Sequence, residues 1–347
     1  MYGISRRRGV SAASACTMPS GRFRGDRMSG AFMGAACARR AKKQRARGRA
    51  SRFGRAQAGP RMVPQGRFSL RIRPLAHARR QDPTLNPSPV MTDLHTPWPY
   101  PRWIAHRGAG KLAPENTLAA LRLGAQFGWS GYECDVKLSA DGELFLLHDD
   151  TLDRTTDGHG LGGDQSWAAL SRLDAGSWHS PDYAGEPLPR LEAVARHCLA
   201  NGHALNIEIK PSPDLARETG AAVARAAQRL WGDAVRAGRS AWPLLSSFEP
   251  AAIEAARDAA PELPRALLLE ALDTDCWARA QRLGCVAVVL EHSLIDGPDL
   301  IARRHAEGLR VLVYTVNDAR RAHQLFAWGL DGLISDAVDH LHNSTHP

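Results

Sequence analysis

From Arg102 onward the chain repeats one pattern, a short apolar run of strand character followed by an amphipathic helical stretch. Strands are predicted at Arg102–His106, Tyr132–Val136, Leu205–Lys210, Leu244–Phe248, Arg265–Leu269, Val286–Leu290, Val311–Val316 and Gly332–Ser335. Helices are predicted at Asn116–Phe127, Arg190–Leu199, Asp214–Trp231, Pro250–Ala259, Thr274–Leu283, Pro298–Glu307 and Ala319–Trp328. Parallel strands need a crossover long enough to hold a helix, so this alternation predicts a parallel sheet. Eight strand–helix units point to a closed (β/α)8 barrel, the TIM-barrel architecture. An open dinucleotide-binding sheet would carry a G-x-G-x-x-G turn after its first strand, and none is present.

A ninth strand-like run, Leu144–His148, is set apart because Ala140-Asp141-Gly142 before it is a hairpin turn signal. It is expected to fold back on an extension of the second strand. Residues 150–190 then break the rhythm with six glycines, three prolines and two tryptophans. A plain connection is rarely that long, so a small inserted subdomain over the barrel mouth is expected there.

Charge divides the chain. Residues 1–90 hold 21 Lys and Arg against two acids, and the rest holds 24 against 34, so the net +9 hides an acidic body behind a basic leader. The leader has no Glu and little apolar periodicity, and it is expected to be disordered. Met91 directly precedes the patterned region, so residues 91–347 read as the domain, and the Arg-rich leader reads as translated flanking sequence. A nucleic-acid tail is the other reading of its basic run, Arg39 to Arg49, but the acidic body argues against binding a phosphate backbone. Six cysteines without motif spacing suggest a reduced, cytoplasmic protein, and no run of 18 apolar residues suggests a membrane span.

Two strands carry charge on one face. Period two puts Glu133, Asp135 and Lys137 together on the second strand, and Asn206, Glu208 and Lys210 together on the next. The opposite faces are apolar and belong against the helices, so the charges must look into the barrel mouth. Uncompensated, so many buried charges would be very costly. A divalent cation held by Glu133, Asp135 and Glu208 resolves this, and their hard oxygens favour Mg²⁺ or Ca²⁺. An internal salt-bridge network with Lys137 and Lys210 is the alternative. His106 and His148 each end a strand-like run, where barrel enzymes place reactive groups. If the hairpin turns near Asp141, His148 returns to about the height of Asp135. Glu115 precedes the first helix on the rim loop that follows His106, either as a site residue or as a solvated acid at a helix N-terminus. Asn116 or Thr117 would cap that helix.

Together these segments resemble the glycerophosphodiester phosphodiesterase family. The pattern runs His106-Arg107-Gly108, Glu115-Asn116-Thr117, Glu133-Cys134-Asp135, His148-Asp149 and Glu208-Ile209-Lys210, and the resemblance extends over residues 97–340. Trp98-Pro99-Tyr100-Pro101 and Asp174–Trp178 are similar to cytosolic bacterial members. The resemblance implies hydrolysis of glycerophosphocholine, glycerophosphoethanolamine and related diesters to sn-glycerol 3-phosphate and an alcohol. It implies Glu133, Asp135 and Glu208 as metal ligands, His106 and His148 as the acid–base pair, Arg107 and Lys210 on the phosphate, and Glu115 in support. Which histidine is acid, and whether water or the neighbouring glycerol hydroxyl attacks, stays open at this level. So do the oligomeric state and the preferred alcohol. A lysophospholipase D using the same site is the alternative activity, but it would need an apolar groove or an anchor for the acyl chain. The expected partner is a small-molecule diester, with neither nucleic acid nor membrane.

Overall fold

The computed structural model describes residues 97–341, so the readings made of residues 1–90 lie outside the described residues. The strands are β1 (Trp103–Ala105), β2 (Gly131–Leu138), β3 (Leu144–Leu146), β4 (Ala204–Ile209) and β5 (Leu244–Ser247), then β6 (Arg265–Leu269), β7 (Ala287–Glu291), β8 (Arg310–Tyr314) and β9 (Gly332–Ser335). The helices are α1 (Leu118–Gln126), α2 (Trp167–Leu170), α3 (Leu191–Asn201) and α4 (Ala216–Arg236), then α5 (Pro250–Ala259), α6 (Cys276–Arg282), α7 (Pro298–Ala306) and α8 (Ala319–Ala327).

Eight strands form a closed parallel ring in the order β1-β9-β8-β7-β6-β5-β4-β2, and β1 pairs with β2 to close it. This is the predicted (β/α)8 barrel. The strand period of two decides what faces where. On β2 and β4, Cys134, Val136, Ile207 and Ile209 look outward and join one large core with α3 and α4, through residues such as Val194 and Val223. The ring's interior is apolar on the other strands, where Ile104, Leu244, Leu268, Val289, Leu312 and Ile334 meet. Trp98 and Tyr100 pack against that inner cluster, and the Tyr100 hydroxyl donates to the Trp242 carbonyl at 2.9 Å.

β2 is long because it outruns the ring. Its extension turns at Ser139–Glu143, where Ser139 N donates to the Glu143 carbonyl at 2.9 Å and Gly142 takes a φ of 83°. That left-handed conformation favours glycine, which is why the turn signal was readable. β3 then pairs antiparallel with β2, Val136 opposite Leu146 and Leu138 opposite Leu144. One step further, Leu147 N donates to the Asp135 carbonyl at 3.1 Å, so His148 emerges at the predicted level.

Residues 150–190 contain two 3-10 turns, Gly162–Asp164 and Pro181–Tyr183, and the single-turn α2. Leu152, Leu170, Ala175 and Leu188 from this stretch bury against Phe145 and Leu147 of the hairpin. Its later part is tied to the β1–α1 loop and to the first turn of α1. Glu186 accepts from Ala119 N at 3.0 Å, and His179 Nε2 lies 3.0 Å from the Lys111 carbonyl.

Helix boundaries differ from expectation by a few residues. α1 starts at Leu118 rather than Asn116, because Thr117 is the N-cap and its hydroxyl accepts from Ala120 N at 3.1 Å. Asn116 instead takes a φ of 60° and turns its amide towards β2. α4 continues past Trp231 to Arg236. No helix of the described residues is long and apolar enough to cross a membrane.

Candidate active site

The β2–β4 register brings the three predicted acids together. Asp135 is paired with Glu208, and Glu133 with Asn206. Ligand oxygens of Glu133, Asp135 and Glu208 all lie within 4.8 Å of one another, and all three residues are buried. Parallel strands hold their side chains in fixed rows, so this triad follows directly from the sequence pattern.

Their charges are only partly balanced. Arg107 Nε lies 3.2 Å from Asp135 Oδ2, and Lys210 Nζ lies 2.8 Å from Glu208 Oε1 and 3.9 Å from Asp135 Oδ1. Lys137, fully buried, turns away and pairs with Asp150 at 2.7 Å. The salt-bridge alternative needed Lys137 among these acids, and it is engaged elsewhere. Glu133 Oε1 is buried without a hydrogen-bond partner, as are the Asn206 amide opposite Glu133 and the Ser246 hydroxyl opposite Glu208 in the register. Buried polar atoms are seldom left this way unless a water or ion completes them. Three hard carboxylates around an orphaned oxygen fit a divalent cation such as Mg²⁺ or Ca²⁺.

Electrostatics bears on the same point. Burial, reinforced by Asp135, pushes Glu133 up to about 8 and Glu208 up to about 7. Burial would also raise Asp135, but Arg107, His148 and Lys210 together hold it below the usual carboxylate range. Asn116 contributes there, donating to Asp135 Oδ2 at 2.9 Å while its carbonyl accepts from Asp135 N at 3.0 Å.

His106 and His148 flank the triad, each with a carboxylate on Nδ1. For His106 it is Asp336, just past β9, at 2.6 Å, which leaves Nε2 facing Glu133 at 3.9 Å. For His148 it is the adjacent Asp149 at 2.7 Å. The two carboxylates are held differently. Asp336 takes a neutral amide, with Asn317 Nδ2 at 3.3 Å, and Asn317 Oδ1 accepts in turn from Ser335 Oγ and Asp336 N. Asp149 takes the guanidinium of Arg154, at 2.6 and 3.0 Å. Burial would lower His106, but the Asp336 hydrogen bond and Glu133 raise it above its ordinary value. Burial lowers His148, and the nearby Asp135 does not offset it.

Arg107 sits in a turn that its neighbours force. It has a φ of 51°, uncommon for a residue with a side chain, and its N–H donates to Glu133 Oε2 at 3.0 Å. Gly110, at φ 57°, follows because a Cβ there would lie 2.2 Å from the Asp336 carbonyl oxygen. Glu115 is not merely solvated: it accepts from Arg107 Nη1 at 2.8 Å and from both Nη atoms of Arg154.

His106, Arg107, Glu115, Glu133, Asp135, His148, Glu208 and Lys210 thus lie together here, whereas Lys137 pairs with Asp150 instead. Sequence reasoning did not assign Asp336, Asn317, Arg154 or the Asn116 amide to the site. Asp336 was within reach, because it ends an apolar strand at the same rim as His106.

Comparison with known proteins places this geometry. The sequence model of the Glycerophosphoryl diester phosphodiesterase family matches residues 106–340. A putative glycerophosphodiester phosphodiesterase of Bacillus subtilis is 32% identical over 242 residues, covering 68% of this chain and 94% of that protein. A glycerophosphodiester phosphodiesterase of Caldanaerobacter subterraneus is 30% identical, with 69% and 96% covered. Among solved structures, a phosphodiesterase of Oleispira antarctica, determined with its product sn-glycerol 3-phosphate, is 35% identical. It superimposes with a TM-score of 0.64 over 71% of this chain and 96% of that one.

Proposed function

The chain belongs to the glycerophosphoryl diester phosphodiesterase family and is an enzyme of that class, and from this premise we propose a metal-dependent hydrolysis carried by two histidines. Its substrates are water-borne glycerophosphodiesters such as glycerophosphocholine and glycerophosphoethanolamine, and its products are sn-glycerol 3-phosphate and the free alcohol. The same reading places the enzyme in the cytoplasm. The observation that carries it is the buried triad of Glu133, Asp135 and Glu208 between two carboxylate-bound histidines.

Glu133, Asp135 and Glu208 would hold the cation, which when bound supplies Lewis-acid polarisation of a phosphoryl oxygen. Arg107 and Lys210 add positive charge on the same wall, and Glu115 and Glu208 hold them there. Charge building on the phosphoryl oxygens in the five-coordinate transition state is stabilised by groups already in place. His148, lowered by burial, accepts the proton of the attacking hydroxyl. His106, raised by its hydrogen bond to Asp336, donates a proton to the departing alcohol oxygen. Asp336 and Asp149 fix the ring orientations by occupying Nδ1, which turns each Nε2 to the substrate.

The direct test is release of sn-glycerol 3-phosphate from glycerophosphocholine and glycerophosphoethanolamine by the purified chain. Absence of product from both, with metal supplied, overturns the reading.

A second expectation concerns stability. Glu133 and Glu208 have folded pKa values near 8 and 7, above the ordinary 4.5. A raised carboxylate contributes stability below its unfolded pKa and loses it as pH rises through the folded value. The metal-free protein should therefore weaken as pH climbs towards 8. A cation binds the ionised acids and reverses this. The rise in melting temperature on adding Mg²⁺ or Ca²⁺ should grow steadily between about pH 5.5 and about pH 8. A metal-induced shift that is flat with pH, or absent, counts against the triad as the binding site.

A further inference from the structure

We infer that Arg154 is a positioning residue, a strap that holds His148 and Arg107 in register with each other by gripping one carboxylate behind each. The inference rests on the functional reading above, in which those two side chains act on the phosphodiester.

The observation is one guanidinium on two carboxylates from two separate rim loops. Arg154 Nε and Nη2 donate to Asp149 at 2.6 and 3.0 Å, and Nη1 and Nη2 donate to Glu115 at 2.8 Å each. Four of its five N–H groups are thereby committed. Each carboxylate already serves a site residue, Asp149 by accepting from His148 and Glu115 by accepting from Arg107. The result is one unbroken path, His148–Asp149–Arg154–Glu115–Arg107–Asp135, ending on the acid triad. Arg154 itself lies on the solvent side of that path, its side chain 44% exposed against 14% for Glu115. Its hydrogen bonds go to the two carboxylates and to none of the three acids.

Position separates this role from a stabilising one. Exposed ion pairs contribute little to folding, and the hairpin and the 150–190 segment have their own apolar cluster to anchor them. Turnover is far more sensitive, because a shift of about 1 Å in a reacting group can cost roughly a hundredfold. Asp149 and Glu115 stand on separate rim loops, and Arg154 is the group that joins the two carboxylates directly. Only a planar fork can serve two carboxylates bidentately at once; a lysine ammonium on the same stem is a point donor.

The test uses the full chain with metal. Arg154→Ala should lower kcat by about tenfold to a hundredfold, the usual cost of removing an outer-shell partner. KM, metal affinity and melting temperature should stay close to wild type. Arg154→Lys should be nearly as slow as Arg154→Ala despite its charge, and millimolar guanidinium should partly restore the alanine variant. Adding Asp149→Asn to Arg154→Ala should cost less than the two single effects combined, because both act on the same ring. The Nδ1 proton of His148, read by NMR without substrate, should broaden or vanish in Arg154→Ala. Unchanged kcat, a rise in KM alone, full function in Arg154→Lys or an intact His148 signal would each overturn the strap. Silence of the wild-type enzyme on every phosphodiester would instead sink the functional reading, since the ring signal tests the strap without turnover.

Discussion

His106→Ala and His148→Ala should each lower turnover on glycerophosphocholine by at least about a hundredfold, the scale of a lost proton-transfer group. Neither is in the ligand triad, so fold and metal affinity should persist. The two variants should part on a substrate whose leaving group needs no proton. A nitrophenyl diester leaves as a stable phenolate, so His106→Ala should recover most of its rate on it. His148→Ala should not, because the attacking hydroxyl still needs a base. The reverse pattern would exchange the two roles. Near-normal turnover by both variants on glycerophosphocholine would sink the acid–base scheme altogether.

Removing the metal, or one charge that holds it, should be equally severe. Chelation should abolish turnover, and Mg²⁺ or Ca²⁺ should restore it. Glu133→Gln and Glu208→Gln keep side-chain size but remove an ionic ligand. Both should lower metal affinity and rate together, by roughly a hundredfold or more, the kinetic equivalent of several kcal/mol. Their melting behaviour separates the metal reading from a structural ion-pair network. Both acids are driven up by burial, so near neutral pH a neutral amide relieves a cost of ionisation. Without metal, the variants should melt no lower than wild type at about pH 8. A network that stabilised the fold would instead lose the Lys210 pair in Glu208→Gln and lower the melting temperature, with activity indifferent to chelator.

Most of this was legible because it is periodic. Alternation on β2 and β4 fixed which side chains share a face, and strand pairing then brought Asp135 beside Glu208. Hairpin arithmetic from Asp141 placed His148, because an antiparallel pair with a short turn allows one register. What could not be read is what depends on single, distant contacts. His106 and Asp336 are separated by 230 positions, and no local pattern announces that a strand-end acid will meet a particular ring. Lys137 shares a face with Glu133 and Asp135, yet it reaches up the mouth to Asp150, a partner set by the loop after β3. Asn116 looked like a helix cap from its neighbours alone. Its left-handed backbone and its hydrogen bonds to Asp135 are imposed by β2, which the local sequence does not contain.

The ring closes between the first strand and the last, and that seam runs through the site. Synthesis from the N-terminus delivers His106, Glu133, Asp135, His148 and Glu208 long before Asp336. The triad needs only the β2–β4 pairing, whereas His106 gains its carboxylate only when β9 docks on β1, Ser335 opposite Ala105. Until then the imidazole lacks the carboxylate that orients it through Nδ1. On the proposed mechanism, a half-made chain would collect cations before it could expel an alcohol. Competence would then arrive with the final turn of the ring, tying the onset of hydrolysis to completion of the fold.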